Sequence, residues 1–376
     1  MGSRIGDILL DSVGNGAHLF AQNPTEILTS FQDIEKKIQE THDPNKKRSG
    51  WIGYISYEAA RHLPDFQNIT FKKTQLPEIW FAYYPDISSE ISLEKPIPLV
   101  GRFTVTDSTT KWDYIKAIKK AQHYIREGDI YQVNLSHRFT TEIPQNLMQY
   151  YTNLRHVSPA PYSAFLDIGD HHILSSSPEL FFKIKDGYIT TRPIKGTMPR
   201  GKNREEDKDL YDGLLNSKKD HAELLMITDL ERNDLGKICE YGTVTVPELN
   251  KIESYAQVHH LVSTITGKLK KTVTPFQALL NLFPGGSITG APKKRAVQLI
   301  QELETVPREI YTGAIGYIMD NGESQFNIAI RTAYTENNRF HFHTGGGITS
   351  GSDPEKEWSE TQVKSKGIID TLTNML

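Results

Sequence analysis

A single cysteine, Cys239, among 376 residues excludes an internal disulfide and fits a reducing compartment. No histidine pattern accompanies it, so the thiol reads as a small buried hydrophobe rather than a nucleophile. No apolar run approaches the ~18 residues of a membrane span, and residues 1–16 hold one early arginine and an apolar patch too short for a secretory signal. The expected compartment is therefore the cytoplasm. Neither sign of charge dominates: 43 Lys and Arg face 46 Asp and Glu, all dispersed, so the basic footprint of a nucleic-acid binder is missing. CxxC and HExxH are absent, and the pairs His171-His172 and His259-His260, on strands, would point to opposite faces, which argues against zinc. There is no fixed-period repeat and no low-complexity tract.

What is present is a chain long enough to bury a large core. Apolar residues recur at helical spacing from Trp112 to Ile125, with Gly128 as a stop, and predict a helix over 111–127. Further helices are expected at 203–216, 217–234, 275–282, 292–303 and 354–374. Strands are expected at 51–57, 130–139, 162–168, 172–176, 180–185, 242–246, 313–319, 326–334 and 339–344. Strands and helices come in runs rather than strict alternation, which predicts an α+β class with antiparallel sheet in one large interwoven domain. Residues 1–100, up to the stiff segment around Lys95-Pro96-Ile97-Pro98, form the N-terminal region of that fold, and 101–376 carry the candidate chemistry.

The segment from Thr191 to Gly201 sets one lysine, Lys195, among residues that fix backbone geometry. Pro193 and Pro199 restrict φ, while Gly196 and Gly201 permit turns or close approach to a ligand. Lys195 becomes a nucleophile there if desolvation or a neighbouring cation lowers its pKa, and Arg192 and Arg200 are candidates for that cation. A surface lysine in a basic loop is the other reading. Two expected helices carry carboxylates at i and i+3, Asp220 with Glu223 and Glu357 with Glu360. Converging, these four would suit Mg²⁺, which keeps several waters; apart, they are ordinary solvated charge.

Pro284 to Arg295 is a glycine-rich loop running into a helix with Pro292 at its first position, and it reads as an anion site or a plain turn. Gly285 and Gly290 have the spacing of a nucleotide-binding P-loop, but Ala291-Pro292 stands where that motif needs Lys and Ser or Thr. A nucleotide-dependent kinase or NTPase is thus a reading of a different class. Thr344 to Pro354 is a second glycine-rich loop opening a helix. Glu179, in Ser177-Pro178-Glu179 between two strands, would be raised by burial into an acid useful near neutrality. Arg331 lies in a run apolar enough to be core, and a charge there calls for an anionic partner.

Taken together, these segments resemble the chorismate-utilising enzymes, the family of anthranilate synthase component I, aminodeoxychorismate synthase component I, and the isochorismate and salicylate synthases. The resemblance runs through Gly128 to Leu135, Ser177 to Glu179, Arg192 to Thr197, His221 to Gly236, the Pro284 loop and Glu357 to Thr361, with weaker similarity at Trp51 to Arg61 and Leu9 to Ser12. It implies antiparallel sheets packed face to face with helices outside, and makes 101–376 the chorismate-binding catalytic region. Water-adding members carry a lysine base where this chain has Gln132, and anthranilate synthases usually have alanine where this chain has Lys195. The para-amination branch is therefore implied: chorismate and ammonia give 4-amino-4-deoxychorismate for p-aminobenzoate and folate synthesis, with an anthranilate synthase as the alternative.

The resemblance also implies residue roles. Lys195 is the covalent nucleophile and Glu179 the acid. Mg²⁺ is held by Glu223 and Glu360, with Asp220 and Glu357 supporting through water. Arg331, Tyr317, Gly347 and Ile348 surround the enolpyruvyl carboxylate; His260, Gly196 and Thr197 surround the ring and its carboxylate, and Thr289 and Lys364 complete the substrate set. Ammonia comes from a separate glutamine amidotransferase subunit. Leu10 and Ser12 fall where tryptophan-binding relatives keep Leu-Leu-Glu-Ser, although here the acid is the shorter Asp11.

Overall fold

The structure, a computed structural model, describes residues 5–11, 18–89, 95–99, 101, 103–255 and 257–373. Its elements in chain order are β1 (Ile8–Asp11), β2 (His18–Ala21), β3 (Glu26–Leu28), α1 (Phe31–Thr41), β4 (Gly50–Ile55), β5 (Ile79–Tyr84), β6 (Thr106–Asp107), α2 (Lys111–Arg126), β7 (Gln132–Thr141), α3 (Leu147–Val157), β8 (Tyr162–Asp167), β9 (His172–Ser177), β10 (Leu180–Lys185) and β11 (Tyr188–Arg192). They continue with β12 (Ile194–Pro199), α4 (Arg204–Leu215), α5 (Lys218–Ile238), β13 (Thr245–Ser254), β14 (Val258–Lys268), α6 (Pro275–Leu282), β15 (Gly290–Ala291), α7 (Lys293–Leu303), β16 (Ala314–Met319), β17 (Ser324–Ile328), β18 (Thr332–Glu336), β19 (Arg339–Ile348) and α8 (Pro354–Leu372).

The strands form two antiparallel sheets. One runs β15-β7-β19-β18-β9-β8-β1-β2 with β6 also on β7; the other runs β12-β14-β11-β10-β17-β16-β4-β5-β3 with β13 also on β14. Each draws on distant parts of the chain, as in the pairings Ile8 with Leu166 and Ile55 with Ala314. Strand alternation puts Ile52, Tyr54, Trp80, Ala82 and Ile315 of the second sheet against Ala164, Leu166, Ile173 and Tyr334 of the first. On the outer faces, Trp51 and Phe81 meet Ile34 and Ile38 of α1 and Phe276 of α6, while Phe139, Phe165 and Phe340 meet Tyr150 of α3 and Ile368 of α8. This is the expected α+β arrangement, with sheets face to face and helices outside.

Helix starts follow cap chemistry. Ser217 Oγ accepts from the Asp220 N–H (3.3 Å) to open α5, and Asp353 accepts from the Glu355 N–H (2.9 Å) to open α8. Asp220 and Glu357 thus lie in first turns, where negative charge complements the helix dipole. Cys239 is buried at the end of α5, and burial pushes its thiol up to about 11. Among the described residues no helix is long and apolar enough to cross a membrane.

Several sequence expectations are corrected. The run 326–334 is not one strand: it breaks into β17 and β18 at Arg331, whose φ of 49° is left-handed, and there the chain passes from the second sheet to the first. Lys195 stands in strand β12 rather than in a turn, next to a register shift against β14 that centres on Gly196. Thr344 to Ile348 continue β19 instead of forming a loop, because Gly345 lets β7 approach so closely that a Cβ would lie 2.4 Å from the Leu135 carbonyl oxygen. Pro292 caps α7 from outside the helix. The strand expected at 242–246 starts at Thr245 and runs to Ser254, and α1, α3, β11 and β14 had no counterpart in the sequence reading.

Gly196 has φ 71°, and a Cβ there would sit 2.8 Å from Leu214 Cδ1 and 3.0 Å from Asp220 Cβ and Cγ. Gly196→Ala is therefore expected to lower stability by about 1–3 kcal/mol through backbone strain and overpacking. A urea midpoint equal to that of the parent chain would refute this account of the bulge.

Candidate active site

β12 brings Lys195 to the edge of the second sheet, opposite the Pro284 loop, where its Nζ donates to the Ser287 carbonyl at 3.0 Å. Burial pulls the amine below the ordinary lysine range; the nearby carboxylates of Glu179 and Glu223 oppose that shift and the Lys364 cation adds to it. Glu179 follows β9 and is almost fully buried, with its backbone tied to Ser177 Oγ (3.3 Å) and to the Ile328 N–H (3.0 Å). Burial pushes its carboxyl up, against the influence of Ser287 and Lys195. A buried acid and a half-buried amine thus stand within electrostatic reach of each other, each made easier to hold neutral than in water.

The cations expected to lower Lys195 are elsewhere. Arg192 is paired with Glu253, and Arg200 donates to Asp207 (2.7 Å) and to the Tyr255 carbonyl (2.7 Å). Lys364, unremarked in that context, takes their place: its Nζ reaches the Gly345 carbonyl (3.0 Å) and Glu360 Oε1 (2.7 Å).

α5 and α8 direct their acidic pairs toward the same region. Burial pushes Glu223 up, with Asp220 and Glu357 adding to the shift and Lys219 and Lys195 opposing it. Burial also raises Glu357, and Glu360 contributes; for Glu360 itself burial is outweighed by Lys364, so its net shift is downward. Asp220 is bonded to the Ser217 hydroxyl and packs against Gly196. Among the described residues, no three His, Cys, Asp or Glu side chains are gathered tightly enough to cage a metal by themselves. Yet Glu223 Oε1 is buried with no hydrogen-bond partner among the described residues, and the Lys219 ammonium is 3.8 Å from it. A carboxylate oxygen without a hydrogen bond, near the carboxylates of Asp220 and Glu357 as well as the Lys219 ammonium, fits a hard cation that keeps waters and takes further ligands from a substrate.

A cation, Arg331, lies within electrostatic reach of His260. Burial alone lowers Arg331, and among the described residues no carboxylate offsets it. His260 lies close enough for the Arg331 charge to add to the burial that brings it down to about 4, and its Nδ1 is 2.8 Å from Thr197 Oγ1. Gly347 accommodates the side chain of Gln132, since a Cβ there would sit 2.3 Å from Gln132 Nε2. Among the described residues, neither amide atom of that buried glutamine has a partner.

The other expected substrate contacts are more constrained. Ile348 buries its side chain in the core, which leaves only its backbone to face a ligand. Tyr317 packs against the inter-sheet core, and burial pushes its hydroxyl up to about 12. Thr289 Oγ1 donates to the Gly285 carbonyl (2.7 Å), so that hydroxyl braces the loop. Leu10 pairs with Ala164 on β8, and its neighbour Asp11 is engaged by Arg155 and His18. Ser12 lies outside the described residues.

The P-loop reading fails on packing. Cβ atoms added to Gly285, Gly286 and Gly290 would meet Ile328 Cδ1 (2.8 Å), Leu230 Cδ2 (2.6 Å) and the Gln132 carbonyl oxygen (2.2 Å). These glycines allow close chain contact rather than a phosphate cradle. Sequence reasoning also missed Glu231, which accepts from Thr191 Oγ1 (2.6 Å) and is raised to about 8 by burial, with Glu179 and Asp234 adding to the shift. Its only sequence signal was an acid eight positions after Glu223 on the same helix, which no spacing rule picks out.

A family profile described as chorismate binding enzyme matches residues 11–370. The anthranilate synthase component 1 of Saccharolobus solfataricus is 37% identical over 370 residues, covering 94% of this chain and 87% of that protein. The aminodeoxychorismate synthase component 1 of Bacillus subtilis is 34% identical over 372 residues, covering 89% and 79%. Among solved structures, anthranilate synthase component I from Streptococcus pneumoniae superimposes with a TM-score of 0.79 at 29% identity, covering 98% of this chain and 93% of that one. With a profile that spans nearly the whole sequence and relatives of this similarity, the chain belongs to the chorismate-binding enzymes.

Proposed function

We propose that the chain is an aminodeoxychorismate synthase component I, converting chorismate and ammonia to 4-amino-4-deoxychorismate and water. The observation that carries this reading is Lys195: an amine lowered by burial, anchored on the Ser287 carbonyl and set beside a raised Glu179. In this reading the neutral Lys195 amine bonds to ring C2, the diene shifts, and the C4–O bond breaks. Glu179 gives its proton to the departing hydroxyl, which leaves as water, and the new C2 ammonium sheds a proton. Ammonia then adds at C4, the bridging nitrogen takes a proton back from Glu179 and the C2–N bond breaks, returning the Lys195 amine and placing nitrogen para to the ring carboxylate, while the new C4 ammonium gives its proton to Glu179. Glu223 and Glu360, with Asp220 and Glu357 behind them, would hold Mg²⁺, which when bound draws electron density from the ring through its carboxylate. Ammonium at neutral pH is a poor nucleophile, so a separate glutaminase subunit is the proposed source of ammonia. Nitrogen entering at the ortho position, as in an anthranilate synthase, is the second reading, and the 37% identity to such a relative favours it.

Product analysis of the purified chain with chorismate, Mg²⁺ and ammonium separates the two. Formation of 4-amino-4-deoxychorismate supports the para reading, whereas fluorescent anthranilate as the main product overturns it.

Arg331 provides a separate test of substrate placement. Among the described residues no carboxylate offsets the burial of its guanidinium, which would pair with a substrate carboxylate. Arg331→Met, in a Lys195→Ala background that prevents turnover, is expected to weaken chorismate binding about 10–100-fold by calorimetry, the worth of one charged hydrogen-bond pair. Unchanged affinity would remove Arg331 from the substrate site.

A further inference from the structure

Arg308 is fully buried. Its guanidinium donates to Glu304 Oε1 (2.6 Å) and Oε2 (2.9 Å), to Thr312 Oγ1 (3.1 Å), and to the carbonyls of Asn134 (2.8 Å) and Ile288 (3.2 Å). It also stands 4.6 Å from the centre of the Tyr57 ring. The turn that carries it is fixed independently, because Glu58 accepts the backbone N–H groups of Arg308 (2.8 Å) and Glu309 (3.0 Å). Glu309 and Thr312 hold left-handed φ values of 54° and 60°, a conformation that persists only where the surroundings over-determine it.

Two of the five bonds lead to the site. Ile288 directly follows Ser287, whose carbonyl receives the Lys195 ammonium, and the Asn134 N–H donates to the Thr289 carbonyl at 2.9 Å. Arg308 therefore holds the strand and the loop on either side of that hydrogen bond together. A neutral amine has two N–H bonds and one lone pair, so anchoring one N–H on a fixed carbonyl sets where the lone pair points. A displacement of about 1 Å in such a relationship costs about 10²-fold in rate. Apolar residues of similar volume in place of both Arg308 and Glu304 could preserve stability, but they could not hold two carbonyls in place.

We propose that Arg308 is a positioning residue for Lys195, acting through the Ile288–Ser287 backbone; this rests on Lys195 being the nucleophile. The test compares Arg308→Met, Arg308→Lys and, as a milder change should Arg308→Met not fold, Thr312→Val, which removes one anchor of the guanidinium. Asp320→Asn is the control for destabilisation alone, since Asp320 accepts from Ser49 Oγ and Tyr83 OH (2.8 Å) in a buried site that uses neither the loop nor β7. Each variant is assayed for melting temperature, kcat, KM for chorismate and the single-turnover rate of the Lys195 adduct by intact mass. Arg308→Met is expected to lower kcat and adduct rate together by about 10²-fold with KM within about twofold. Arg308→Lys is expected to recover part of that loss and Thr312→Val to lose about threefold to tenfold, while Asp320→Asn loses melting temperature but not kcat. A folded Arg308→Met or Thr312→Val with wild-type adduct rate, or a loss carried by KM, overturns the Arg308 assignment. Absence of any adduct in the wild-type chain overturns instead the Lys195 reading beneath it.

Discussion

Lys195→Ala is expected to abolish the chorismate adduct seen by intact mass and to lower kcat by about 10³-fold or more, equivalent to about 4 kcal/mol of transition-state stabilisation. The size follows from what the side chain supplies: an amine kept below its ordinary pKa and fixed on the Ser287 carbonyl, so that a bimolecular substitution becomes an intramolecular one. Lys195→Arg separates nucleophile from charge. A guanidinium retains the cation but not a usable lone pair, and is expected to be as inactive as alanine. If Lys195→Arg kept more than about a tenth of wild-type kcat, the residue would be acting as an electrostatic clamp and the covalent mechanism would be wrong.

Glu179→Gln is expected to lower the rate of adduct formation by about 10²–10³-fold, the usual weight of a general acid, and to change its pH profile. The profile is best read on adduct formation without ammonium, so that titration of the nucleophile from solution does not enter. In the wild-type chain, adduct formation needs the Lys195 amine free and the Glu179 carboxyl protonated, which gives a rise and a fall with pH. Burial raises the acid, so the fall lies above the ordinary glutamate range; burial lowers the amine, so the rise lies below the ordinary lysine range. Because the two groups are adjacent, both limbs belong to the pair. Glu179→Gln removes the alkaline fall. It also removes the negative charge that favours the ammonium, so the Lys195 amine is freed at lower pH. An alkaline limb that persists in Glu179→Gln assigns the acid to another group, and Glu231, raised to about 8, is the next to replace.

How much of this was legible in the sequence depended on whether the signal was local. The helix over Lys111–Arg126 announced itself by apolar spacing and a glycine stop, and the acidic pairs of α5 and α8 by their i, i+3 positions near capped starts. By contrast, α1 escaped although Ser30 caps it, since only Ile34 and Ile38 of its residues are buried and, apart from Phe31, the rest is polar. The segment from Ile194 to Pro199 looked like a turn because two prolines and a glycine punctuate it. Pairing with β14 overrode those preferences and absorbed Gly196 as a bulge. Arg331 was read as part of a strand from its apolar neighbours, and nothing local shows that the chain changes sheets there. Arg192 and Arg200 show the same limit for the site: sequence neighbours of Lys195, they are turned to Glu253 and Asp207, while Lys364 arrives from the far end of the chain.

The pairing of β4 with β16 also governs how the molecule can be made. When Gly50 to Ile55 leave the ribosome, one long edge of the strand must wait for Ala314 to Met319, and β1 likewise waits for β8. Neither sheet can close on itself while synthesis is incomplete, and until then rows of unpaired N–H and C=O groups stay open to other chains. Contacts this remote in sequence make for slow folding. The same interleaving means that neither half of the chain, cut from the other, retains a complete sheet to fold around.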